Sequence, residues 1–133
     1  MKKFFLDTNF VMDLLIRDEF KPISKQFLTE GVQNNHQFFI SYLSVANFAY
    51  IIRKQPSENI YKYINTVLNL FHVVHNTEHQ IRRAIELQVP DFEDGLQYQA
   101  AIDAECDIII TRNSKDFPFA KIPVMSAEEY LRS

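Results

Sequence analysis

Lys3-Phe4-Phe5-Leu6-Asp7 carries an apolar run straight into a carboxylate. Short apolar runs read as strands, and in an open parallel sheet the ligand crevice lies outside the carboxyl ends of the strands. An acid at such an end is placed for chemistry. The same form returns at Asp107–Thr111, where three isoleucines precede Thr111 and Asp116 follows shortly after. Further strand candidates are Phe38–Ser41, His72–Val74 and Pro123–Met125.

Longer patterns of helical period separate these runs. Leu43, Ala46, Phe48, Ala49, Tyr50, Ile51 and Ile52 read as a buried helix. Ile60, Tyr63, Ile64, Val67, Leu68 and Phe71 keep the 3.6-residue period, so Pro56 to Leu70 predicts a second helix in the same crossover. Thr77 with Gln80, and Ser126 with Glu129, have capping-box spacing and predict helices over 77–88 and 126–132. Val89-Pro90-Asp91 stops one helix and starts another, in which Leu96, Ala100 and Ala104 form a small-residue face between Glu93 and Glu105. Strands alternating with helices predict an α/β fold: one domain over 1–133, with a central, mostly parallel sheet of about five strands flanked by helices.

Composition narrows the chemistry. The 133 residues include only two glycines, Gly31 and Gly95, where average usage would give about nine. Neither a dinucleotide G-x-G-x-x-G, a P-loop nor a G-x-S-x-G elbow can be written with them, so any phosphate is handled by side chains or metal. Fourteen basic against seventeen acidic residues give a net charge of −3, which argues against a broadly basic nucleic-acid face. Cys106 is the only cysteine, which excludes an intramolecular disulfide and any thiolate zinc cluster. The basic start is cut short by Asp7, and no stretch reaches the roughly 18–20 apolar residues of a membrane span. A cytoplasmic protein with no membrane partner is expected.

Three acids stand out by position: Asp7 after the first strand, Asp94 in the first turn of a helix, and Asp116 after the strand Asp107–Thr111. Each alone reads more readily as a cap or turn former, and Asp94 also complements a helix dipole. Joint placement at one sheet edge is what capping does not explain. Converged carboxylates repel unless a cation neutralises them, and Mg²⁺ or Mn²⁺ suits such an oxygen-only set. A cation held there would activate a water for attack on phosphorus.

Phe5-Leu6-Asp7-Thr8-Asn9-Phe10-Val11-Met12-Asp13-Leu14-Leu15 resembles the first motif of the PIN domain, the metal-dependent nuclease fold that includes VapC-type toxins. Phe92-Glu93-Asp94-Gly95-Leu96-Gln97-Tyr98-Gln99-Ala100-Ala101 resembles its third, and Asp107-Ile108-Ile109-Ile110-Thr111-Arg112-Asn113-Ser114-Lys115-Asp116-Phe117 its fourth. Element order, length and the closing strand before Ser126 match as well. The resemblance implies a three-layer PIN-like fold, with Asp7 and Asp94 as the family's first and third acids.

Asn47 stands where the family usually carries a glutamate, and Asn113 where it carries an aspartate, with Asp116 resembling a displaced acid. By resemblance, Asp7, Asp94 and Asp116 are catalytic and bind the metal. Thr8, Asn9, Asn47, Thr111 and Asn113 support them or touch substrate, and Arg112 and Lys115 meet phosphate. Arg53-Lys54 and Arg82-Arg83 are weaker phosphate candidates. The resemblance further implies an endoribonuclease acting on RNA, an antitoxin partner for toxin-like members, and a homodimer.

Other readings compete. Asp7-Thr8-Asn9-Phe10-Val11 approximates the haloacid dehalogenase motif, but Asn9 replaces its general acid and no lysine precedes Glu93-Asp94 at the required place. A PIN domain weakened by its two amides would bind RNA or a protein without cutting. His72, His75 and His79 have spacing open to a zinc site, yet strand alternation sends His72 and His75 to opposite faces, so they read as surface or packing residues. Asp103, Glu105 and Asp107 read as solvated helix-end charges. Asp13 reads either as support for the site or as a helix-surface residue. The helix Phe48–Ile52 reads as core or as an interface, and Gly95 as room left at the site or a tolerated residue.

Overall fold

Each expected strand forms, its ends within a residue of the apolar run that predicts it. The computed structural model describes residues 1–133. Its elements run β1 (Lys3–Leu6), α1 (Thr8–Leu15), α2 (Lys21–Gln33), β2 (Gln37–Ser41), α3 (Tyr42–Ile51), α4 (Ser57–Leu70) and β3 (His72–Val74). They continue with α5 (Glu78–Leu87), α6 (Phe92–Asp103), β4 (Ile108–Ile110), a 3₁₀ turn at Ser114–Asp116, β5 (Val124–Met125) and α7 (Ala127–Arg132). Both capping boxes form at α5 and α7. Helices α1 and α2, to which the sequence reading assigns no pattern, fill the first crossover.

The sheet order is β3-β2-β1-β4-β5, and every pairing is parallel. Parallel neighbours need long crossovers, which the helices supply. From β1 the chain moves outward through β2 to β3, then returns to lay β4 and β5 on the other side. Connections therefore leave the adjacent strands β1 and β4 in opposite directions, and a crevice opens at their carboxyl ends. That crevice receives Asp7 and Thr111.

Strand alternation divides the interior. Phe4 and Leu6, with Ile108 and Ile110, face a core completed by Phe10, Val11, Phe27, Phe38, Phe48 and Val67 from the helices and β2. Phe5 and Ile109 face the opposite side, against Tyr98, Ala100 and Ala101 of α6. The fold is thus three layers, α/β/α. On the first side Phe27 meets Phe4, Phe10 and Phe38 edge-on at centroid distances of 5.0, 5.6 and 5.7 Å. Each such pair adds about 0.5–1.5 kcal/mol beyond area burial.

Glycine is scarce because it is used only where two elements touch. A Cβ on Gly31 would stand 2.3 Å from Cζ of Phe38, so α2 could not lie on β2 with any larger residue. A Cβ on Gly95 would meet Val89 at 3.2 Å and Ala84 at 3.6 Å, which shows that its bare face serves the α5 contact and leaves no room at the crevice. Left-handed turn positions go instead to Asn35, Gln88 and Glu105, with φ of 59°, 48° and 57°.

Candidate active site

Asp7 leaves β1 with extended backbone and caps α1, its Oδ1 accepting from the Phe10 amide at 2.9 Å. Its Oδ2 accepts from the Thr111 hydroxyl at 2.7 Å, joining the ends of β1 and β4. Thr111 Oγ1 in turn accepts from the Asn113 amide at 3.1 Å. Burial raises the Asp7 carboxyl above its usual range, opposed by these hydrogen bonds and pushed further by Asp13. Each oxygen keeps a lone pair free.

Asp94 occupies the first turn of α6, whose N-terminus is capped by Asp91. Its carboxyl is pushed up to about 6, first by burial, then by the charges of Asp91, Asp116, Glu93 and Asp7. Asp94 therefore lies in the fields of Asp7, from the end of β1, and of Asp116, from the 3₁₀ turn after β4. These oxygen donors carry an excess of negative charge, and a hard divalent cation fits their chemistry. No three acidic, histidine or cysteine side chains stand close enough to hold an ion among themselves. A cation would sit on one or two carboxylates and complete its shell with water.

A buried polar knot holds this rim from below. Thr8 donates to Ser44 at 3.0 Å, Gln97 Nε2 reaches Ser44 at 2.5 Å, and Ser41 Oγ donates to Gln97 Oε1 at 2.7 Å. Ser41 also caps α3 through the Ser44 amide at 3.1 Å. The knot ties α1, α3 and α6, the helices that follow Asp7, carry Asn47 and carry Asp94. Thr8, expected to support the acids or touch substrate, lies in this knot. Ser41, Ser44 and Gln97 were invisible as site residues, their only signal being polar side chains among apolar neighbours.

Asn47 donates to Glu93 Oε1 at 2.8 Å, so the amide on α3 faces a carboxylate on α6. Burial and Asp91 raise Glu93, against that hydrogen bond. In sequence, Glu93 is hidden within the acidic opening Asp91, Glu93, Asp94, which any helix dipole would favour.

Asp13 is a different kind of acid. Nearly buried, it receives Arg112 Nε at 2.8 Å, Arg112 Nη2 at 3.2 Å and Arg17 Nη1 at 3.2 Å. Arg17 also reaches Asn9 Oδ1 at 3.2 Å, which places Asn9 on this cluster. The Arg112 guanidinium lies 4.1 Å from the centre of the Phe20 ring. Two of its nitrogens are committed to Asp13, and Nη1 has no protein partner. Lys115 is exposed beside Asp116 and forms no ion pair.

The weaker candidates are occupied elsewhere. Arg83 pairs with Asp103 at 2.5 Å, Arg82 with Glu78 at 2.8 Å, and Arg53 lies over Tyr50. Asp103, exposed at the end of α6 as expected, is also a cross-link between α5 and α6 and accepts from Gln80 at 3.1 Å. Asp107 accepts from the Lys3 amide at 2.8 Å and orders the entry to β1. His72 packs on Phe39, and His75 on Tyr42.

The family model described as PIN domain matches residues 3–115. The chain belongs to the PIN-domain family. No curated protein matches this PIN domain in sequence. Among solved structures it is similar to VapBC-1 from nontypeable Haemophilus influenzae (16% identity, 95% of this chain and 98% of that one, TM-score 0.73). It is also similar to VapBC2 from Rickettsia felis bound to a promoter DNA fragment (16%, 93% and 97%, TM-score 0.69). A third similar structure is a toxin–antitoxin complex from Klebsiella pneumoniae (22%, 92% and 96%, TM-score 0.66). At these identities the likeness concerns the fold, and it extends over nearly the whole PIN domain.

Proposed function

We propose that this chain is a single-domain, metal-dependent endoribonuclease that serves as the toxin of a toxin–antitoxin pair. The observation carrying this reading is the uncompensated acidic rim at the switch point of a PIN-domain sheet, where burial first and then the charges of Asp91, Asp116, Glu93 and Asp7 push the Asp94 carboxyl up to about 6. PIN domains are generally nucleases that use divalent metal ions. One or two of Asp7, Asp94 and Asp116 would hold Mg²⁺ or Mn²⁺ directly and the rest through water, and the ion when bound supplies charge neutralisation and Lewis acidity for phosphodiester hydrolysis.

The remaining roles fall to the chain itself. Thr111 fixes the Asp7 rotamer by donating to Oδ2. Thr8, through the Ser44 and Gln97 knot, keeps α1, α3 and α6 in register, so the distance between Asp7 and Asp94 is set by packing. Asn47 orients Glu93 at the rim, while Asn9 and Asn113 offer amide contacts to RNA. Lys115 is the exposed cation that would face phosphate at the rim, and Arg112, held on Asp13, keeps Nη1 for the neighbouring part of the substrate.

Antitoxin is the proposed partner, since the similar VapBC and Klebsiella structures are toxin–antitoxin complexes. An all-apolar groove between α3 and α4, lined by Tyr42, Val45, Ala46, Ala49, Ile64 and Leu68, offers it a seat. Helix α3 has Phe48 in the core, while its exposed Tyr50 and Ile51 would extend the apolar surface beside the groove. A homodimer and a cytoplasmic location complete the proposal; no helix is long and apolar enough to cross a membrane.

The test is cleavage of total RNA with and without Mn²⁺ by wild type and Asp94→Ala. Mn²⁺-dependent fragments from wild type alone are expected, and metal-independent or undiminished cleavage would overturn the assignment. The two amides favour one second reading, an RNA- or protein-binding PIN domain that does not cut. Mn²⁺ titration separates the two, because a pure binder would show no Asp7-dependent uptake.

A further inference from the structure

A cavity of about 80 Å³ opens beside Asp7, among the ends of β1 and β4 and the starts of α2 and α7. Asp7 and Thr111 form one side, and Asn9, Phe20, Arg112 and Ser126 contribute to the rest. Since one water needs about 10–15 Å³ in this measure, the space corresponds to roughly five to eight waters, comparable with a single planar heterocycle. We propose, on the nuclease reading above, that it is a base subsite. It takes one unpaired RNA nucleobase next to the phosphate being cut, and thereby selects the cleavage position.

The wall mixes apolar faces with hydrogen-bonding groups, a combination that suits a base. Asp13, also at the cavity, is saturated by Arg17 and Arg112, so it has no free carboxylate for a cation. Phe10, Phe20 and Ile23 make the wall too apolar for a phosphate group. What remains is a partly apolar slot with hydrogen-bond donors, and with the Asp7 and Glu128 carboxylates as acceptors on its wall. Arg112 Nη1 has no protein partner; Asn9 Oδ1 is taken by Arg17, leaving its NH₂; Ser126 Oγ accepts from the Glu129 amide at 3.0 Å, leaving its O–H.

Donors beside carboxylate acceptors complement guanine and uracil, which carry a carbonyl oxygen next to a ring N–H, better than adenine, which has no carbonyl oxygen. The Phe20–Arg112 stack continues naturally onto a base, because guanidinium planes and aromatic rings are the usual platforms for unstacked RNA bases. Asp7 belongs to both places, so a strand with its phosphate at the acidic rim reaches the slot with a flanking nucleotide.

The test uses the full chain. In ¹H–¹⁵N spectra titrated with GMP, UMP and AMP, the Asn9 NH₂, Arg112 Nε and Ser126 amide should shift, more for GMP and UMP than for AMP. Arg112→Lys keeps a charge opposite Asp13 but loses the plane and the fork, and should abolish these shifts. In parallel, cut positions mapped in total RNA with Mn²⁺ should show a base preference of roughly tenfold or more beside the cut, falling below about twofold in Arg112→Lys and in Asn9→Ala. Loss of that preference in either variant supports the subsite even where free nucleotides bind too weakly to shift a signal. Unmoved cavity signals together with an unchanged cut-site preference overturn it, as do shifts equal for all three nucleotides and indifferent to Arg112→Lys. Cavity shifts with no cleavage by wild type would keep the subsite and overturn the nuclease reading instead.

Discussion

Asp13 and Asp94 are both acids on helices at the carboxyl edge of the sheet, and they are treated in opposite ways. Asp13 is buried and receives three hydrogen bonds from two arginines. Asp94 has no arginine or lysine partner, and burial first, then the charges of Asp91, Asp116, Glu93 and Asp7, push its carboxyl up to about 6. A carboxylate serving structure is neutralised within the chain, whereas one serving a ligand is left short of positive charge. The difference separates architecture from chemistry without reference to any homologue.

The largest effect should come from removing charge at the rim. Asp7→Asn or Asp94→Asn should bring Mn²⁺-dependent RNA cleavage to background while leaving the urea unfolding midpoint no lower than wild type, because asparagine still caps a helix and the repulsion is relieved. Cleavage surviving in both variants, or a collapsed midpoint, would erase the distinction.

Asp13→Ala should behave in reverse. It strands Arg112 and Arg17 and should lower stability by about 2–3 kcal/mol, below the usual range for a fully buried pair because both arginines are about two-fifths exposed. Urea denaturation measures this. A variant as stable as wild type would show that Asp13 is not structural.

Ser44→Ala tests the knot between the two regions. Thr8 and Gln97 would each lose a partner, at a cost of about 1–3 kcal/mol. Thermal denaturation reads the loss, and reduced cleavage should accompany it as α1 and α6 lose their common register.

Asp103 gives the smallest effect. Burial acts to raise its carboxyl, but hydrogen bonds from Arg83 and Gln80 and the Arg83 charge outweigh it and bring it below the usual range. With the folded value depressed, its contribution is complete above the unfolded pKa near 3.9 and disappears as pH falls through the folded value. Screening at this partly exposed pair limits it to roughly 0.2–1 kcal/mol. The stability gap between wild type and Asp103→Asn should therefore be measurable at pH 6 and close on acidification below pH 4.

Sequence reading goes furthest where local rules act alone. The runs around Phe4–Leu6 and Ile108–Ile110 become buried strands because a central parallel strand is apolar on both faces, and Thr77 and Ser126 form capping boxes because those bonds span only three residues. It falls short wherever a side chain chooses among distant partners. Nothing in the order of residues pairs Asn47 with Glu93, Asp103 with Arg83, or Gln97 with Ser41 and Ser44. Gly95, sitting beside Asp94, invites a role at the site, yet its bare face is turned to α5.

By itself, then, the sequence determined the class of fold, the family, and the placement of Asp7, Asp94 and Asp116 near strand ends or at a helix start, because hydrophobic period and capping are read over a few residues. Only the tertiary structure decided which acids are answered by arginine and which are left facing one another. Charge compensation depends on distances between segments as far apart in the chain as Asp13 and Arg112, and packing alone sets those distances.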